Sequence, residues 1–114
     1  MQLLLAMAML ATIAACDIGC GNEIVPRSAS PSRAISAVVF NRHCGATTGL
    51  NTQVSIVRGS AAPSGAGNTL ILEGTVPLKL RWVSESGLQI TGLSSAKVFK
   101  QEQWVAGVSV AYGM

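Results

Sequence analysis

The chain has 114 residues, of which 49% are hydrophobic and 11% are charged, and its formal net charge at pH 7 is +3. This length allows one small domain and excludes a multidomain architecture. The eight Lys and Arg residues are dispersed along the chain and form no basic block. A nucleic-acid-binding protein is therefore not expected.

An apolar segment opens the chain. Thirteen of residues 1–15 are apolar, the exceptions being Gln2 and Thr12. A helix of residues 3–15 rises about 20 Å, which is too short to cross the hydrocarbon core of a bilayer. Because the run ends in small side chains, we expect residues 1–15 to be a helical secretory signal peptide. No Lys or Arg precedes the run, so either the α-amino group supplies the usual positive charge or translation starts upstream of Met1.

The leader ends at a cysteine. The segment Ile13-Ala14-Ala15-Cys16 resembles the lipobox of bacterial lipoproteins, in which a diacylglyceryl group is attached to the Cys and the peptide is cut just before it. This resemblance implies a membrane anchor at Cys16, with Cys20 as the alternative. If Cys16 is the anchor, the Asp17 that follows it favours retention at the inner membrane, as in lipoproteins of the enterobacterial type.

Cysteine parity bears on the choice of anchor. Three cysteines in an exported chain leave one unpaired unless one is used elsewhere. Lipidation of Cys16 leaves Cys20 and Cys44 for one disulfide, which would contribute roughly 3.5 kcal/mol through chain entropy. Lipidation of Cys20 instead removes Cys16 with the leader and leaves Cys44 unpaired. Parity therefore favours Cys16 as the lipidated residue.

The mature chain is predicted to be a tether followed by one β domain. Residues 16–33 contain Pro26, Pro31 and several Ser and Ala residues, a composition typical of an irregular lipid-anchored tether. In residues 34–114 the apolar residues recur with a period close to two and are bounded by turn formers, which predicts strands. We expect an all-β domain, a single small antiparallel meander of six or seven short strands, as a sandwich or a partly open barrel.

Individual strands differ in their expected burial. Residues 34–41 are predicted to be buried on both faces, whereas residues 52–58 alternate, with Gln53 and Ser55 on the polar face. Residues 78–83 and 88–92 predict a hairpin, and residues 59–68 predict a flexible loop. Four aromatic residues are expected in the core, the alternative being an aromatic binding surface: Phe40, Trp82, Phe99 and Trp104.

The inventory of catalytic residues is small. The carboxylates are scattered, with no pair that spacing alone would bring together. His43 is the only histidine, so one chain offers no two-histidine metal site, and no cofactor is expected. An envelope thiol enzyme using Cys44 with His43 is the alternative reading. Adjacent residues of a strand point to opposite faces, however, which argues against that pair.

Several segments of the mature chain carry a further resemblance. Together they are similar to a set of small uncharacterised bacterial exported proteins, many of them lipoproteins. The resemblance implies export and lipidation, often at the position of Cys20, and implies no catalytic residue. Such proteins commonly read Ser-Pro-Asp-Gly-Lys before the first strand, where this chain has Ser30-Pro31-Ser32-Arg33. The segments are Cys20-Gly21-Asn22-Glu23, Ala37-Val38-Val39-Phe40, Cys44-Gly45-Ala46-Thr47-Thr48-Gly49, Thr52-Gln53-Val54-Ser55, Leu80-Arg81-Trp82 and Leu88-Gln89-Ile90.

These observations predict a lipid-anchored protein of the bacterial cell envelope that faces the periplasm and has a non-catalytic binding or structural role. Its candidate partner-binding loop holds Thr47, Thr48 and Asn51, because loops on rigid β scaffolds often carry function. The expected partner is the membrane, with an envelope protein or a wall polymer in addition. A soluble secreted inhibitor or effector, released by ordinary signal cleavage, is a further alternative.

Overall fold

The computed structural model of the chain describes residues 21–43 and 50–114. Within these residues the chain forms nine β strands and no helix, which confirms the all-β prediction and corrects the expected six or seven strands. The predicted signal helix lies outside the described residues. The strands are β1 (Gly21–Ala29), β2 (Ile35–His43), β3 (Asn51–Arg58), β4 (Leu70–Glu73), β5 (Lys79–Ser84), β6 (Gly87–Thr91), β7 (Val98–Gln101), β8 (Trp104–Val105) and β9 (Val108–Tyr112).

The strands form two sheets that do not close into a barrel. Sheet A has the order β1-β2-β3-β4-β7, and sheet B has the order β5-β6-β9-β8. All neighbouring strands are antiparallel except β6 and β9, which are parallel, so the predicted purely antiparallel meander is wrong at this pair. The cause is a crossover: after β6 the chain adds β7 to sheet A before it returns with β8 and β9.

The hydrophobic core lies between the two sheets. The predicted hairpin is confirmed as β5 and β6, where Leu80 faces Ile90 across the strands and Trp82 faces Leu88. Along the strands that build the core, alternate residues point inward, as the period of two requires. The core side chains are Ala37, Val39, Val54, Ile56, Leu70 and Leu72 from sheet A, and Leu88, Ile90, Val108 and Val110 from sheet B.

Sheet A is also covered on the face that points away from sheet B. Residues 36–40 are buried, as predicted, but residues 52–56 are buried as well, including the expected polar face. The cause is the segment of residues 59–68, which packs against β3. The backbone N–H of Gly67 donates to Gln53 Oε1 at 2.6 Å, and that of Asn68 donates to Ser55 Oγ at 3.1 Å. These two bonds satisfy polar groups that burial would otherwise leave unpaired.

Strand β1 occupies part of the segment predicted to be an irregular tether. It pairs with β2 along its length, from Gly21 opposite His43 to Ala29 opposite Ser36. Proline is compatible with this strand because β1 is an edge strand and its register shifts between Ile24 and Arg27, next to Pro26. The ordered sheet therefore begins before Ala34, where the sequence places the start of the domain.

Two of the four aromatic residues predicted for the core lie on the surface. Phe40 is fully buried, but on the outer face of sheet A, and Trp82 is half-buried against the core. Phe99 is 52% exposed, because the register of β7 shifts beside it. Trp104 is 70% exposed, because the two-residue strand β8 pairs it with Ser109 on the outer face of sheet B.

Candidate functional site

Most of the predicted site residues fall outside what the structure describes. Asn51 is described and is half-buried at the start of β3, opposite Arg42 in β2 and Glu73 in β4. His43 ends β2, and its side chain is outside the description. The lipid anchor, the disulfide and the partner-binding loop therefore remain predictions. The residues outside the described ranges are Cys16, Cys20, Cys44, Thr47 and Thr48.

One cleft opens between sheet A and the segment that leads into β5. Its volume is about 490 Å³, and none of the described side chains that line it is ionisable. The hydroxyl group of Thr52 is fully engaged there: it donates to Gly74 O at 2.7 Å and accepts from Val76 N at 2.8 Å. The cleft thus offers mainly carbon surface. Its walls are Pro26, Val39, Asn41, Thr52 and residues 75–78.

A second candidate site is the outer face of sheet B, which we call the Trp104 face. The strand alternation that sends Leu88, Ile90, Val108 and Val110 into the core turns the intervening residues outward. No other part of the described chain buries these residues, most of which are exposed. The residues of the Trp104 face are Lys79, Arg81, Val83, Gly87, Gln89, Thr91, Trp104, Ser109 and Ala111.

Strand pairing arranges the Trp104 face in rows. One row places Gly87 of β6 beside Ser109 of β9 and Ser109 beside Trp104 of β8. Val83 and Ser84 close the other end of this row: Ser84 is the strand partner of Gly87, and a Cβ atom added to Gly87 would lie only 2.8 Å from Val83 Cγ2 and 3.1 Å from Ser84 Oγ. With strands about 4.8 Å apart, the row from β5 to Trp104 spans roughly 14 Å. Because Val83 and Ser84 lie over Gly87, the row forms a shallow trough whose floor is Ser109.

A second row gives the Trp104 face its positive charge. Arg81 lies opposite Gln89, and Gln89 lies opposite Ala111. Lys79 follows on β5, opposite Thr91. The strands of sheet B contain no Asp or Glu, and these two cations are its only charged residues.

Of the two carboxylates nearest in sequence to this face, that of Glu85 is engaged elsewhere. Glu85, in the turn between β5 and β6, accepts hydrogen bonds from Ser32 N and Ser30 Oγ, both at 2.8 Å. The pKa of Glu85 is lowered, chiefly by the backbone N–H of Ser32 and then by the side chains of Ser32 and Ser30. Glu102 interacts with Tyr112, whose side chain packs against the core.

Tyr112 marks the inward side of the β7–β8 connection. Its hydroxyl donates to Glu102 O, and Thr69 O lies 3.3 Å away. Burial, together with the negative charge of Glu102, raises the pKa of Tyr112 to about 12. Both effects disfavour the tyrosinate anion.

Sequence reasoning placed Trp104 in the core, and so it missed the Trp104 face. The signal that would have found it is the turn Ala106-Gly107, in which both residues have positive φ, 52° and 79°. A two-residue turn of this kind sets Val105 opposite Val108, and therefore Trp104 opposite Ser109. Ser109 lies between the inward Val108 and Val110, so its partner must point outward.

No protein-family model, no curated protein and no solved structure matches the chain. The described residues contain no group of three His, Cys, Asp or Glu side chains that is placed to hold a metal ion. In the same residues, no helix has the length and apolar character needed to span a membrane.

Proposed function

We propose that this chain is a lipid-anchored protein of the bacterial cell envelope that acts by non-catalytic binding through the Trp104 face. The observation that carries the proposal is the exposure of Trp104, which leaves 70% of a large aromatic side chain in water. An indole gains apolar contact and a hydrogen-bond partner when a ligand covers it, and aromatic residues are enriched at binding surfaces for this reason.

The side chains around Trp104 favour binding over catalysis. The face offers two cations, one amide and hydroxyl groups, all of which hold a ligand by charge or hydrogen bonds. General acid–base catalysis needs a group that exchanges a proton near the working pH. Glu85 is turned toward Ser30 and Ser32, so this carboxylate does not serve the face.

The register of β1 and β2 supports Cys16 as the anchor. Gly21 lies opposite His43 and Asn22 lies opposite Arg42. These paired residues are the sequence neighbours of Cys20 and Cys44, which lie outside the described residues, and this neighbourhood supports the predicted disulfide. A disulfide between Cys20 and Cys44 would leave Cys16 as the only cysteine for the lipid.

Incorporation of labelled palmitate tests the anchor in cells that express the wild type, Cys16→Ser and Cys20→Ser. We expect label in the wild type and in Cys20→Ser, and none in Cys16→Ser. The opposite pattern would assign the anchor to Cys20. Absence of label from all three, with the protein in the medium, would favour the soluble secreted alternative.

Thiol alkylation before and after reduction tests the disulfide in the same variants. Cys44 should be protected in the wild type until reduction, and it should react without reduction in Cys20→Ser. Rapid alkylation of Cys44 in the unreduced wild type would contradict the disulfide and would favour the thiol-enzyme alternative.

A further inference from the structure

We infer that the Trp104 face binds an anionic glycan, a chain of sugar rings that carries carboxylate or phosphate groups. This inference rests on the proposed binding function and names the class of its ligand. A sugar ring has a face of C–H groups and a rim of hydroxyl groups. The flat indole of Trp104 can stack on the C–H face of the sugar ring. The amide group of Gln89 and the hydroxyl group of Ser109 can form hydrogen bonds with its hydroxyl rim.

The charge of the face selects an anionic polymer over a neutral one. Lys79 and Arg81 are both exposed and lie two residues apart on one side of β5. Neither makes an ion pair with a carboxylate in the described residues, since Glu85 is held by Ser30 and Ser32. An uncompensated guanidinium can form paired hydrogen bonds with a carboxylate or a phosphate.

The shape of the face favours a polymer chain over a folded protein or a bilayer. The trough between Val83 and Trp104 runs over Ser109, and its other end is covered by Val83 and Ser84, whose atoms lie 2.8 and 3.1 Å from where a Cβ atom on Gly87 would stand. A contiguous exposed apolar patch is the usual mark of a protein or membrane interaction site. Only Val83 and Trp104 on this face are large and apolar, and they stand at opposite ends of the trough.

Phe99 provides a matched comparison. It is an exposed aromatic residue on β7 of sheet A, at 52%, but the ammonium group of Lys97 lies over its ring, 5.4 Å from the centroid. Its ring face is thus already occupied by a cation. Phe99→Ala removes an exposed aromatic side chain that lies outside the Trp104 face, and Lys100→Gln removes a cation from the same strand of sheet A.

The test measures binding of the purified full-length protein to polygalacturonate, with dextran as the neutral polysaccharide and polyphosphate as the anion without sugar rings. We expect saturable binding to polygalacturonate that Trp104→Ala weakens about tenfold or more. Arg81→Gln should weaken binding and reduce its dependence on salt. Phe99→Ala and Lys100→Gln should remain within about twofold of the wild type.

Three results would overturn the inference. An affinity for dextran equal to that for polygalacturonate would show that charge does not contribute to binding. An affinity for polyphosphate equal to that for polygalacturonate would show that the sugar ring does not contribute. Binding only to phosphatidylglycerol vesicles, with a loss in Trp104→Ala, would make the face a membrane contact instead. Palmitate labelling tests the lipid anchor independently of glycan binding. If the protein is labelled but does not bind the glycan, only the inference about the ligand is rejected. If it binds the glycan but is not labelled, only the lipid anchor is rejected.

Discussion

Arg33 adopts a backbone conformation that favours glycine. Its φ is +66°, in the turn between β1 and β2, where its N–H donates to Ser30 O at 2.9 Å. The left-handed region costs a residue with a Cβ atom about 1–2 kcal/mol, and glycine avoids this cost. Glycine also has more conformational freedom in the unfolded chain, and this entropy offsets about half of the gain in stability.

We therefore predict that Arg33→Gly raises the free energy of unfolding by about 0.5–1 kcal/mol. Urea denaturation followed by circular dichroism measures this change. The control is Ala34→Gly, at an adjacent position without a positive φ, which should lower stability by about 0.5–1 kcal/mol. An equal loss in both variants would show that the turn carries no strain at position 33.

Tyr112 is expected to make stability fall at alkaline pH. An unfolded tyrosine loses its proton near pH 10.0, whereas the pKa of folded Tyr112 is raised to about 12. Between pH 10 and 12 the native state therefore keeps the proton of Tyr112, whereas the unfolded state loses it. The contribution of Tyr112 to stability is complete below pH 10 and is lost as the pH rises toward 12. Tyr112→Phe should lose less stability across this range.

The chain has a single tyrosine, so tyrosinate absorbance reports on Tyr112 alone. We expect a midpoint near pH 12 for the folded protein and near 10.0 in urea. Glu102→Gln should lower the folded midpoint, because it removes the neighbouring negative charge. A folded midpoint equal to that in urea would refute the burial of this hydroxyl.

At the scale of single residues, the sequence predicts which residues share a face of a strand better than it predicts whether that face is buried or exposed. The alternation of Leu88 and Ile90 places both in the core, as observed. For Trp104 the prediction of a core position is wrong. A large aromatic residue is usually assigned to the interior, but the pairing of Trp104 with Ser109 turns it outward. Pairing is a property of two segments, and neither segment shows it alone.

Among the elements, the β5–β6 hairpin is attached to the turn between β1 and β2 by side chains. Glu85 accepts from Ser30 Oγ and Ser32 N, and Trp82 Nε1 donates to Ser28 O at 3.0 Å. These bonds join one edge of sheet A to one edge of sheet B. The carboxylate binds there in its charged form, which is the cause of its lowered pKa.

We predict that Glu85→Gln lowers the melting temperature at pH 7, and that its difference from the wild type shrinks in acid. Because the pKa of Glu85 is lower in the folded state, the charged carboxylate stabilises the protein fully above pH 4.5, the ordinary value. This stabilisation is lost as the pH falls through the lower pKa of the folded state. Thermal denaturation at a series of pH values checks this. Glu73→Gln, at the exposed end of β4, is the control, and the same pH dependence in both variants would contradict the role of Glu85.

The elements that the sequence predicted well are those with strict alternation, such as β5, β6 and β9. Strand β1 was missed because Pro26 and the neighbouring serine and alanine residues are typical of loops. An edge strand tolerates such a composition, since only one side of it needs a ladder of hydrogen bonds. The edge position depends on the order of the sheet, which local composition does not contain.

For the molecule as a whole, the shared core predicts one cooperative unfolding transition. Both tryptophans lie in sheet B, so tryptophan fluorescence follows that sheet, whereas circular dichroism follows both. Leu70 is fully buried in sheet A, and Leu70→Ala should lower stability by about 2–5 kcal/mol. Because the sheets share one core, both signals should shift together to the same midpoint.

Leu50→Ala, at a position that is 47% exposed, should change stability by no more than about 0.5 kcal/mol. Two separate midpoints in Leu70→Ala would mean that the sheets unfold independently. The crossover between the two sheets was not predictable from the sequence, because β6 and β9 are separated along the chain by β7, which joins β4 in sheet A, and by β8, which pairs with the other side of β9.

The parallel pairing of β6 with β9 has a consequence for the order in which the core can form. Until Val108 and Val110 arrive, Leu88 and Ile90 have only β5 beside them in sheet B. A chain that emerges from its amino end therefore lacks a complete interior until β9 has followed. Such a late-closing topology makes β9 the strand that completes the core.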